Sequence, residues 1–266
     1  MMDGQLLFIC VLTFIVHLIG TLAYSVRIAG VRTRRIAVSL ALFNILALVS
    51  RMSNAFLGPF LAKRVELNIG AQADHLLSDF RWLLVSATLA TLIGGLLIPT
   101  FQRVFSRAVL HFQTHRSIPK LILHTFFKGG LSYIRDVATL PKMENVAAAR
   151  GHGISPWVTV LNIGSVALWT IGVFAALYAG SLDPSVRVTS SQLSSIINGG
   201  ATIMMAVFID PHISGMSDDV MDGRMGESQF RKAMVWLVGS RFTGTLLAQL
   251  LLVPSALLIV QVANLL

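Results

Sequence analysis

The sequence predicts an all-α integral membrane protein with six transmembrane helices in one bundle. Composition is the first reason: 55% of the 266 residues are hydrophobic and only 12% are charged, whereas soluble domains carry about 25% charge. Mean hydropathy is +0.74. Segmentation is the second. Six stretches reach the ~20 apolar residues that a bilayer crossing needs, at about 5–26, 36–61, 82–102, 156–180, 194–213 and 233–263. The third is the uneven spread of Lys and Arg between alternate loops, which orients the bundle. On this reading residues 1–266 are a single polytopic membrane domain.

The first segment has no basic n-region, since Asp3 is the only charge before Arg27, and no convincing small-residue cleavage site. It is expected to be a retained helix rather than a signal peptide. Its one cysteine, Cys10, excludes an intrachain disulfide and sits in an apolar helix, a poor setting for a thiolate. Thr13, His17, Gly20, Tyr24 and Arg27 fall on one helical face.

The second segment carries Arg51 near its midpoint. A charge at that depth costs roughly 2.5–3.5 kcal/mol and has to face protein or a wet cavity. Arginine does not escape by losing its proton. Ala37, Ala41, Asn44, Ala47, Arg51, Asn54 and Gly58 form a continuous small and polar face, which is expected to look into the bundle, where small residues permit close approach and polar ones bond across helices. A buried pair of Arg51 with Asp210 or Asp79 is one expectation; a conduit for an anion is the other.

Trp82, Trp157 and Trp236 open the third, fourth and sixth segments, where interfacial aromatics belong. The fourth segment aligns Asn162, Ser165, Trp169, Gly172 and Ala176, expected to be mainly helix–helix contact. The fifth is the least apolar and is expected to be broken, with Asn198-Gly199-Gly200 in its first half and Asp210-Pro211 at its end. On the sixth, Arg241, Thr245 and Ala248 align. Arg241, like Asp79 with Arg81, is placed near an interface, where a long side chain snorkels cheaply. Ser50-Arg51 and Ser240-Arg241 are a chance-level match, and no internal repeat stands out.

Fifteen basic residues fall in the loops 27–35, 103–155 and 214–232, against four in the others. That asymmetry predicts an N-out, C-out topology. The 103–155 segment is too long for a turn. Lys120, His124, Lys128 and Arg135 share a helical face within it, so it is expected to form a basic amphipathic helix on the cytoplasmic leaflet. The net charge of +9 points to anionic membrane lipids as partners rather than nucleic acid.

Signatures of soluble chemistry are missing from the sequence. It holds no Gly-rich phosphate loop, no His-Glu-x-x-His and no Gly-x-Ser-x-Gly. Asp218, Asp219 and Asp222 spell Asp-Asp-x-x-Asp, a pattern that holds Mg²⁺ against a diphosphate in membrane prenyltransferases. With no second acidic cluster, a solvated acidic turn before Gly223 is the competing expectation.

The run from His17 through Tyr24, Arg27, Gly30, Arg32, Arg34, Arg35 and Ser39 to Asn44, continued by Ser50-Arg51-Met52-Ser53-Asn54, resembles the Amj ("alternate to MurJ") family of bacterial membrane proteins. The resemblance implies a lipid II flippase of the bacterial cytoplasmic membrane, without cofactor. Such a protein carries undecaprenyl-diphosphate-linked disaccharide-pentapeptide from the inner to the outer leaflet. On that footing Arg27, Arg32, Arg34 and Arg35 are expected to recruit the diphosphate, since Arg grips phosphate oxygens bidentately. Arg51 would carry it past the midplane, with Asn44 and Asn54 bonding sugar or phosphate and His17 and Tyr24 on the adjoining face. A proton-coupled route through His17 or Asp210 is a variant. A Mg²⁺-dependent prenyltransferase-like enzyme and a non-catalytic scaffold are the alternatives.

Overall fold

The structure, a computed structural model, describes residues 3–68, 73–115, 138–139 and 153–266. Among them every regular element is helical, and six helices are long and apolar enough to cross a membrane. In chain order these are α1 (Gly4–Arg32), α2 (Ile36–Leu67), α3 (Ala73–His115), α4 (Pro156–Leu182), a fifth span made of two pieces, and α7 (Glu227–Leu265). The pieces of the fifth are α5 (Arg187–Met204), entered through one 3₁₀ turn at Pro184–Val186, and α6 (Asp210–Met221). A π-helical turn, Met205–Ile209, joins them.

The expected break therefore falls before Asp210-Pro211 and not at Asn198-Gly199-Gly200. Pro211 lacks an N–H and its ring crowds the carbonyl one turn back, so the helix widens just ahead of it. The two glycines stay helical because a spanning segment has to satisfy its backbone N–H and C=O groups internally, which outweighs a propensity loss of about 1 kcal/mol each. The third helix runs well past 102, to His115. Most of the 103–155 insertion, with Lys120, His124, Lys128 and Arg135, lies outside the described residues.

Six crossings return the chain to the face on which it began, and contacts there tie the ends together. Asp3 caps α1 by accepting from the Leu6 N–H at 2.7 Å. Its carboxylate also meets the buried Arg64 near the end of α2, at 2.8 Å, and Arg64 in turn donates to Asp79 of α3 at 2.6 Å. Asn264 of α7 donates to Asp183, just past α4. Asp79 is thus engaged by Arg64 and not by Arg51, a correction to the sequence expectation; Arg64 was counted there only as a loop charge.

Packing divides the spans into two groups. In one, α1 lies against α2 and α3; in the other, α4 lies against α5 and α7. Two large apolar cores lie along the bundle, beside a smaller one of Val26, Ala29 and Phe105. One joins Leu6, Leu61, Phe80, Phe174 and Leu252 near the end that carries the termini. The other joins Ile28, Val158, Ile213, Phe230 and Met234 near the opposite end. Polar side chains buried along the middle of the spans, including His17, Asn162, Ser165, Arg241 and Thr245, mark the level between them.

Close helix approach decides where Cβ atoms are tolerated. A Cβ on Gly244 of α7 would meet the Ile163 carbonyl of α4 at 2.8 Å, a backbone contact with no slack, whereas one on Gly239 meets nothing within 4 Å. Gly244→Ala should lower stability in detergent by about 1–3 kcal/mol through overpacking. Gly239→Ala should be neutral or stabilising by up to about 1 kcal/mol. Equal thermal midpoints for the two variants would contradict this packing.

The Leu6 N–H, with the Arg64 guanidinium, holds the Asp3 carboxyl below its usual value of 3.8. A depressed carboxylate contributes stability above the unfolded pKa and loses it as pH falls through the folded one. Acidification below about pH 4 should therefore lower the midpoint of the wild type more steeply than that of Asp3→Asn; parallel curves would remove Asp3 from the fastening.

Candidate functional site

The face predicted on α1 lines the interior from end to end. Thr13 and His17 border a small cavity, Gly20 and Tyr24 face Arg241, and Arg27 pairs with Asp210 at 2.7 Å, with Ser214 at 3.5 Å. Asp210 is thereby taken by Arg27 and is no partner of Arg51.

The cation buried in the middle of the bundle is Arg241, contrary to the expectation that it snorkels. It is 8% exposed and has no carboxylate partner among the described residues. Its guanidinium occupies the space that a Cβ on Gly20 would need, and it lies over the Trp169 ring, 6.0 Å from the centroid. The Tyr24 phenol is the polar group facing it, while Nε has no hydrogen-bond partner. An aromatic face and a neutral phenol lessen, without cancelling, the desolvation of such a charge.

His17 stacks edge-on against the same Trp169 ring, centroids 5.3 Å apart, and is 3% exposed with Nδ1 unpartnered. The cavity beside it measures about 30 Å³ and is lined by α1, α2, α4 and α5, Asn54 and Asn198 included. That is room for one or two waters. The Asn198 Oδ1, also buried and unpartnered, points to where a side chain on Gly172 would stand.

α2 is oriented differently from the sequence expectation. Its buried residues are Ser39, Leu42, Ser53, Leu57, Leu61, Arg64 and Val65, while Asn44, Arg51 and Asn54 are exposed. Asn44, Ile45, Leu48 and Arg51 border an open hollow of about 290 Å³. By helical angle, Asn54, Arg51 and Asn44 lie on one flank of the core-facing side, with Met52 and Phe56 on the other. Arg51 makes no ion pair among the described residues. Across from α2, Ser195, Asn198 and Thr202 share a flank of α5. α2 rests on α1 and α5 on α4 with no extended contact between them, and Asn54 of one and Asn198 of the other line the same small cavity. His17 and Trp169 form its floor.

At the other end of α1 the chain turns sharply. Arg34 takes a left-handed φ of 55°, and the Arg34 and Arg35 N–H groups return to the Val31 and Gly30 carbonyls. The turn sets Arg32, Arg34 and Arg35 on the surface. The acidic motif ends α6 in the same manner. Gly223 takes the left-handed position, φ 77°, and the Gly223 and Arg224 N–H groups bond to the Val220 and Asp219 carbonyls. Asp219 and Asp222 both pair with Arg224 at 2.8 Å. Among the described residues no cluster of three His, Cys, Asp or Glu is arranged to hold a metal. Asp218→Asn should change stability by less than about 0.5 kcal/mol, and Mg²⁺ or a chelator should leave the thermal midpoint in place; a midpoint that rises with Mg²⁺ only when Asp218 is present would reinstate the metal site.

No solved structure matches the chain. A relative from Bacillus subtilis (strain 168), named Lipid II flippase Amj, is 38% identical over 261 residues, spanning 95% of this chain and 94% of its own. The family model Amj, "Alternate to MurJ", matches residues 12–263. Both reach well past the residues 17–54 that carry the resemblance, and the chain belongs to the Amj family.

Proposed function

We propose that this protein is a lipid II flippase of the cell membrane, as its Bacillus relative is named, and acts as a transporter rather than an enzyme. The observation that carries the reading is the pair of polar flanks on α2 (Asn44, Arg51, Asn54) and α5 (Ser195, Asn198, Thr202), whose Asn54 and Asn198 meet at one cavity and which we read as the walls of a groove. Polar flanks on spanning helices are costly in hydrocarbon, so they favour a path for a polar headgroup. A laterally open path lets the polyprenyl chain stay in lipid while the sugar-diphosphate crosses.

Both termini are placed outside, because the surface turn with Arg32, Arg34 and Arg35 and the end of α3 with Arg103 and Arg107 then lie on the cytoplasmic side. The turn recruits the diphosphate from anionic lipids of the inner leaflet, and Arg51 receives it in the groove. Arg27 stands at the mouth with its charge balanced by Asp210. An inside-negative potential drives each negative charge outward by about 2.3 kcal/mol per 100 mV, so no nucleotide site is needed.

The test uses bacteria depleted of their own lipid II flippase and an external enzyme that cleaves exposed lipid II. Wild type should restore exposure. Arg51→Ala at equal abundance should lose most of it, and collapse of the membrane potential should slow the wild type. Wild type that reaches the membrane without restoring exposure would overturn the function; full activity in Arg51→Ala would remove only that residue from the path.

A further inference from the structure

The two packing groups have the same connectivity in opposite directions. α1, α2 and α3 pack as α4, α5 and α7 do, with the first helix of each between the other two. Because α4 is the third span after α1, the groups run antiparallel. Matching residues recur about 150 positions apart. Ile19-Gly20 with Ala23 answers to Ile171-Gly172 with Ala175, and Thr13 to Ser165. Gly30 and Gly180 each let the first turn of the next helix approach closely, against Ser39 and Arg187. Ser39 and Ser190, each one turn into the second helix, are both buried. Phe80 and Phe230 are fully buried near the start of the third helix of each group, and Gly94 and Gly244 each take a neighbouring side chain within 3 Å.

His17 and Trp169 occupy the same place along α1 and α4, and they touch each other. Equivalent residues in contact mark a two-fold axis, and this one lies in the membrane plane at the floor of the groove. In inverted-repeat transporters the substrate site lies near the midplane at the repeat interface. Here that position holds unpartnered polar groups: Nδ1 of His17, Oδ1 of Asn198 and Nε of Arg241. Arg241 breaks the symmetry, for its counterpart on α3 is the buried neutral Thr91, which bonds to its own helix at Ala87. One cation stands where two repeats meet, and no carboxylate answers it among the described residues.

We infer that the chain is built from two inverted three-helix repeats and that Arg241, with His17 and Trp169 on their shared axis, forms a binding site for a phosphate group. The inference rests on the flippase reading and deepens it: Arg51 borders the open hollow along α2, and Arg241 is the anion contact where the two repeats meet. A cavity of about 30 Å³ does not admit a sugar-diphosphate, so this arrangement is the occluded one, and α2 and α5 separate to load the site.

The test measures lipid binding to the purified full-length protein by native mass spectrometry, with a polyprenyl diphosphate and a polyprenol of equal length. Wild type should prefer the diphosphate. Arg241→Gln should lose that preference at least tenfold while still binding polyprenol, which reports an intact fold, and Arg241→Lys should recover part of it. Gly20→Ala keeps the charge but puts a methyl where the guanidinium lies, and should lose the preference as well; Gly239→Ala should keep it. Displacement of the bound lipid by inorganic pyrophosphate would assign the site to the anion alone, and resistance would assign it to the lipid-borne group. Full preference in Arg241→Gln, alongside lipid II transport by wild type, would overturn this site and leave the flippase reading standing. Wild type that neither prefers the diphosphate nor moves lipid II would end both.

Discussion

A guanidinium buried in the middle of a membrane bundle without a carboxylate is the constraint around which the rest of this structure is arranged. Arg241 is always charged and has left water, so its surroundings have to be polarisable or polar. They are: the Trp169 face on α4, the Tyr24 phenol on α1, and a glycine at position 20 that leaves room for the guanidinium. The two apolar cores on either side hold this level in place. The remaining acidic groups near the spans are committed elsewhere, Asp210 to Arg27 and Asp79 to Arg64. Charge neutralisation is thus spent on the ends of the bundle, and the centre keeps a net positive site.

The same economy explains the two poorly buried spans. α2 and the fifth span each press one side against a more buried partner, α1 or α4, and leave a polar flank uncovered. Hydrocarbon penalises such flanks, and on the flippase reading the two share one polar path, which lessens the penalty on each. The π turn before Asp210-Pro211 lies toward the end of the fifth span where Asp210 meets Arg27. A helix already widened there has a lower barrier to bending than a continuous one. If α5 moves, α6 keeps its Asp210–Arg27 tether on the far side of the π turn.

Sequence reading carried the architecture far. Six spans, the break at Asp210-Pro211 and the inward position of the polar face of α1 were all legible, because hydropathy and the 3.6-residue period are properties of each segment alone. The acidic motif was legible as a turn through Gly223. On α2 the period correctly grouped Asn44, Arg51 and Asn54, yet the face pointed to the groove and not into packed protein. In lipid an apolar face is as comfortable outside as inside, so periodicity states which residues travel together and not what they meet.

What the sequence by itself determined was the number of the spans, the surplus of basic residues on one set of loops, and which residues share each helical face. Tertiary structure alone decided which arginine is buried. Arg51 and Arg241 have similar neighbours along the chain, and only the packing of α7 against α1 and α4 puts the second beneath Gly20 and Trp169. It also decided the repeat, whose matches are single residues some 150 positions apart. Glycines and serines recur at helix contacts because the two halves pack alike, and contacts exist only once the chain has folded.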